Sequence, residues 1–145
     1  MSPVIVSDPL LFANELRPIL LRLNRHLRLE AHLLGVTSGQ VSLLGTVKMH
    51  PGIGVRALAV EEGVSAPAIS GHIRRLEAQG LVVRTTGVDR RFVSLTVTPA
   101  GERVLRSVRS KRTAWLATRL RRLRPDELDA LKDAIPSLLR LLEEG

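Results

Sequence analysis

Apolar positions along this chain recur with two periods, and these predict six helices and one pair of strands. Leu16, Ile19, Leu20, Leu23, Leu27 and Leu34 trace one face of a first helix, which opens at Asp8-Pro9 and ends at Gly35. Pro18 should kink it or split off its first two turns. A second helix starts with the capping box Thr37-x-x-Gln40, stapled by Val36 and Val41, and runs to about Met49 before Pro51-Gly52. A short third helix covers about Val55 to Glu61, with Leu58 turned inward and Gly63 allowing the left-handed turn behind it. Ser65 caps a fourth helix, closed by Gly80, in which Ile69, Ile73 and Leu76 form the apolar face.

The period then changes. "LVVRT" and "FVSLTV" read as strands, the second with Val93, Leu95 and Val97 alternating against Phe92, Ser94 and Thr96. Between them "TGVDRR" is a polar hairpin loop. Thr98-Pro99 caps a fifth helix that continues to about Leu123. Pro125-Asp126-Glu127 opens a sixth, striped by Leu128, Leu131, Ile135, Leu138 and Leu142, with Pro136 predicting a kink. The expected fold is a single domain of residues 1–145, mainly α with a small β-hairpin. Residues 37–98 form a winged helix-turn-helix lobe, and residues 1–36 and 99–145 supply helices outside it.

Composition agrees with a helical fold. Hydrophobic residues make up 44% of the chain, yet there is no Tyr, one Trp (Trp115) and two Phe (Phe12 and Phe92), so aliphatic side chains must do the packing. The sequence has no cysteine, which excludes a disulfide, a thiol switch and a thiolate metal site. No apolar run approaches the roughly 20 residues of a membrane span. The N-terminal stretch lacks the basic and unbroken apolar regions of a secretion signal, so a cytoplasmic location is expected.

Charge narrows the partner. The net charge is +8, but the excess sits in one block: residues 74–124 hold 14 basic and 3 acidic side chains, while residues 125–145 hold 2 and 6. Ordinary solubilising surfaces mix both signs. A block this one-sided predicts a polyanion, nucleic acid before membrane. The helix from Ser65 shows where contact would occur. Opposite its apolar face stand Ala66, Pro67, Ser70 and Gly71, small enough to let the backbone approach a major groove, followed by Arg74 and Arg75 at the depth of phosphates or base edges. The hairpin tip carries Arg90 and Arg91, suited to a narrow minor groove of high negative potential.

The stretches "TSGQVSLLGTV", "IGVRALAVEEGVSAPAISGHIRRLEAQGLV" and "GVDRRFVSLTVTPAG" resemble the multiple-antibiotic-resistance regulator (MarR) family of bacterial repressors over nearly the whole chain. The resemblance implies a homodimer, intertwined through the first, fifth and sixth helices, that binds pseudo-palindromic double-stranded DNA operators and often releases them on binding a small molecule. It further implies that Asp89 pairs with an arginine to order the wing and that Arg91 reaches the minor groove. Ser65, Pro67, Ser70, Arg74 and Arg75 fall where members contact the major groove and its phosphates. Members often carry basic or polar residues at the positions of Ala66 and Gly71, so methyl contacts, shape and the arginines must carry more of the readout here.

Other chemistry is weakly represented. His26, His32, His50 and His72 contain no His-x-x-x-His pair, and no metal or other cofactor is expected. Glu61 and Glu62 point about 100° apart on a helix and cannot act as an acid–base pair; with no nucleophile–base constellation or phosphate-binding glycine loop, the chain reads as a non-enzyme. A release signal would have to be sensed where the first, second and fifth helices meet the DNA-binding lobe. Arg22, His26, His32 and His50 are candidates to hold a ligand there, with Leu44 and Trp115 as apolar walls, which favours a small anionic or phenolic aromatic compound. Two functional classes remain: a ligand-responsive repressor, and an architectural, weakly specific DNA-binding protein of the same fold.

Overall fold

The computed structural model describes residues 8–30, 35–86 and 93–145. Six helices and three short strands follow in the order α1 (Pro9–Leu29), α2 (Ser38–Met49), β1 (Ile53–Gly54), α3 (Val55–Glu62), α4 (Ala66–Ala78), β2 (Val82–Thr86), β3 (Val93–Val97), α5 (Pro99–Leu120) and α6 (Pro125–Arg140). Capping explains most boundaries. The Asp8 carboxylate accepts from the Leu10 N–H at 3.0 Å. Thr37 and Gln40 close the expected reciprocal box, Thr37 N donating to Gln40 Oε1 at 3.0 Å and Gln40 N to Thr37 Oγ1 at 3.1 Å. Gly63, at φ 65°, ends α3 in the left-handed conformation that a side chain would strain.

The structure refines three expectations. The expected β2–β3 hairpin is present and gains a third strand: Ile53 and Gly54 pair with Leu95 and Ser94, so β3 is the centre of a three-stranded antiparallel sheet ordered β1-β3-β2. Two residues carry too little periodicity to announce a strand, and only their partner defines it. Pro18 does not split α1, which runs unbroken to Leu29; residues 31–34, over which the apolar pattern continues the first helix, lie outside the described residues. α5 ends at Leu120 rather than Leu123, because the Arg121, Arg122 and Leu123 amides turn back to the carbonyls of Ala117, Arg119 and Leu120.

The core lies in the lobe. Leu44, Val47, Leu58, Ile69, Ile73, Leu76 and Leu95 are completely buried, and Val108 of α5 closes the cluster at 1% exposure. α5 seats on the lobe through Gly101: a Cβ there would come within 2.3 Å of the Leu81 carbonyl oxygen and 2.6 Å of Val97 Cγ1. Thr98 fixes the same corner, donating through Oγ1 to the Gly80 carbonyl at 2.6 Å and accepting from the Gly101 N–H at 3.1 Å. By contrast α1 and α6 contain no buried residue.

Candidate nucleic-acid interface

The candidate recognition surface is built on α4. Its inner stripe, Ile69, Ile73 and Leu76, is fully buried against the rest of the lobe, which sets the helix's rotation. That rotation turns Ala66, Pro67, Arg74 and Arg75 to solvent and leaves Ser70 and Gly71 half-buried at the rim. Ser65 is occupied at the N-cap, its Oγ accepting from the Ala68 N–H at 3.4 Å. Nothing crowds a Cβ added at Gly71, so its small size leaves open room on the outer face rather than relieving a clash. Among the described residues, no carboxylate pairs with Arg74 or Arg75. His72 is half-buried and its Nδ1 is shut from solvent without a partner among the described residues, so it serves packing more than the outer face.

Two contacts hold this helix and its neighbours in register, and sequence reasoning missed both. Arg84 of β2 donates through Nε to Glu77 Oε1 at 2.7 Å, tying the end of α4 to the sheet. Arg84 thus counts in the basic block but is already neutralised. Glu62, at the end of α3, receives the Ser42 hydroxyl at 3.0 Å and the Thr46 hydroxyl at 2.5 Å, clasping α3 to α2. The i, i+4 hydroxyls on α2 were the only sequence signal for that clasp.

The wing is framed by β2 and β3, with Thr86 opposite Val93 at its base. Asp89, Arg90 and Arg91 lie outside the described residues.

A cleft of about 710 Å³ opens between α1, α2 and α5, the junction expected to sense a ligand. Its polar lining differs from the one expected: Arg28, Lys48, Arg109 and Arg112 supply four cations, Ser38 and Ser42 hydroxyls, and among the described residues no Asp or Glu lines it. Leu44 is not a wall of this cleft; it belongs to the stripe Gln40, Leu43, Leu44 and Val47 that turns into the core. His26 and Trp115 are also absent from the lining, because they stack on each other with ring centroids 5.3 Å apart, and Arg119 lies 5.0 Å over the indole. Arg22 and the C-cap residue His50 are exposed outside the cleft, and His32 lies outside the described residues. Position along the helix decides this: Trp115 shares the phase of Val108 but lies about 10 Å further along α5, past the cleft, where it meets His26 of α1.

Comparison with known proteins places this geometry. A MarR family model matches residues 34–91, the span from the approach to α2 through the wing. The HTH-type transcriptional regulator MT0903.1 of Mycobacterium tuberculosis is 32% identical over 134 residues, 92% of this chain and 94% of that protein. The chain belongs to the MarR family. The HTH-type transcriptional repressor MdtR of Bacillus subtilis is 32% identical over 95 residues, 65% of this chain and 61% of its own length. The transcriptional regulator Tm0710 from Thermotoga maritima superposes with a TM-score of 0.74 at 27% identity, covering 92% of this chain and 98% of that structure. The chain is thus a MarR-family transcriptional regulator with a helix-turn-helix DNA-binding fold, and its family is not one of enzymes. No helix among the described residues is long and apolar enough to cross a membrane.

Proposed function

We propose that this regulator is a cytoplasmic repressor that binds pseudo-palindromic operators as a homodimer and lets go of them when a small anionic or phenolic aromatic compound occupies the α1/α2/α5 cleft. The observation that carries the DNA half is the outer face of α4: small residues and two exposed arginines, on a helix whose rotation is set by three fully buried side chains. Ser65, Pro67, Ser70, Arg74 and Arg75 contact the major groove; Arg90 and Arg91, ordered by Asp89, serve the minor groove. The relationship to MdtR supports repression as the sign of regulation.

Dimerisation is supported by the apolar faces of α1 and α6, where Leu20, Leu23, Leu131, Ile135 and Leu138 are between 41% and 53% exposed in the single chain. The effector reading rests on the cleft's four cations, which no lining carboxylate balances. The ligand-holding groups are Arg28, Arg109 and Arg112 in place of the histidines.

The test is to map genomic fragments protected by the purified protein and measure its preference for them over random duplex at fixed physiological salt. A specific site bound about 10³-fold or more over random sequence is the expected result. A ratio near unity would sink the repressor reading and leave an architectural protein. Aromatic carboxylates titrated into the complex should then lower operator affinity, and no effect at millimolar concentration would remove the effector.

A further inference from the structure

We infer that the outer face of α5 is a second, sequence-independent surface for a nucleic-acid backbone. The winged helix does not account for the basic block: nine of its fourteen cations follow Pro99. α5 alone carries Arg103, Arg106, Arg109, Lys111, Arg112 and Arg119 against one acid, Glu102. These cations divide by helical phase. Arg109 and Arg112 turn to the cleft, and the Arg112 Nε donates to the Leu27 carbonyl at 3.0 Å. On a separate face, Arg103, Arg106, Ser107, Ser110 and Lys111 line an open concavity of about 600 Å³.

The lining chooses the ligand. Small-molecule sites are enclosed and mostly apolar, whereas three cations and two hydroxyls make up all of this wall. Guanidinium and hydroxyl groups together are what protein–DNA complexes use on phosphate and sugar. The groups are also spread along one broad face of the helix. From Arg103 to Lys111 the helix rises about 12 Å, and one DNA strand presents a phosphate about every 3.4 Å of axis. Three cations over that length can engage two or three phosphates of a backbone, more than a compact anion presents. Among the described residues no carboxylate pairs with Arg103, Arg106 or Lys111. A second copy of the same face is a poor occupant, since like charges would be brought together. The row is rigid as well, because Gly101 and Val108 seat the same helix on the lobe core.

The inference does not need α4 to read an operator, and its test keeps the two apart. Arg103→Gln, Arg106→Gln and Lys111→Gln are combined in the full-length protein, and binding to a random-sequence duplex and to a protected genomic fragment is followed across a salt series. The slope of log affinity against log salt should flatten by about 2–3 on both DNAs, close to one per lost phosphate contact, with the specificity ratio unchanged. Arg103→Lys with Arg106→Lys should retain the wild-type slope. Thermal melting of the Gln variant shows that the fold is kept. Unchanged slopes would overturn the inference, as would a loss confined to the specific fragment. So would pyrophosphate binding abolished by the Gln variant while DNA slopes stay at wild type, which marks a small-anion site. Flattened slopes on random duplex with no specific fragment found would leave the α5 surface standing and sink only the repressor reading.

Discussion

The winged-helix lobe and the terminal helices use the same aliphatic residues to opposite ends. In the lobe, α2, α3, α4 and β3 converge and seal Leu44, Leu58, Ile73 and Leu95 from water. In α1 and α6 equally regular leucine stripes stay open: Leu20 is 44% exposed, Leu131 49% and Leu138 41%. Both regions satisfy helix periodicity. The lobe has three layers to close against one another, and a pair of isolated helices does not. One region is a completed core; under the proposed dimer the other is half of one, its missing half supplied by a second chain.

The largest break in this comparison should come from a charge placed in the unfinished core. Leu138→Asp would bury an unpaired carboxylate against the partner, and the dimer should dissociate or unfold. Sedimentation is the readout; a folded wild-type monomer at micromolar concentration would refute the half-core description. Next in size is the finished core. Leu95→Ala empties a site with 0% exposure and should cost about 2–5 kcal/mol in denaturant unfolding, compared with wild type at one protein concentration. Gly101→Val should cost about 1–3 kcal/mol, because its side chain overlaps the Leu81 carbonyl and Val97. A variant as stable as wild type would mean that α5 can shift off the lobe freely.

Smaller effects sharpen the lobe's own division into core and DNA face. Arg91→Ala should weaken specific binding by about 1–3 kcal/mol, and Arg74→Ala or Arg75→Ala should flatten the salt dependence by about one phosphate-equivalent each. Stability should not change with them. The smallest effect belongs to Glu77→Ala. Its ion pair with Arg84 is about one-third exposed on both sides, so solvent screening holds its loss to about 0.2–1 kcal/mol. If DNA affinity falls while melting barely moves, the pair positions α4 rather than stabilising the lobe.

Legibility in the sequence followed the range of the interactions involved. Thr37-Gln40, Ser65, Gly63 and Thr98 act on residues three or four positions away, so caps and turns were readable and lie where the pattern put them. The α4 face was equally readable, since its inner and outer stripes are fixed by one helical period. What failed was long-range. β1 exists only because β3 passes beside it, the Glu62 clasp joins residues 16 and 20 positions apart, and the cleft's wall depends on the relative rotation of three helices. His26 and Trp115 were chosen for chemistry that suits a ligand, and they found each other instead.

The sequence by itself therefore determined the helices, their caps, the solvent-facing arginines of α4 and the one-sided charge, because each is written in neighbouring residues. Only the tertiary structure decided which cations face which space. Arg84 is spent on Glu77, Arg112 reaches back to Leu27, and Arg103, Arg106 and Lys111 are left in an open row. The physical reason is that charge is counted along the chain, whereas its availability depends on which side chain the fold brings within about 3 Å of it.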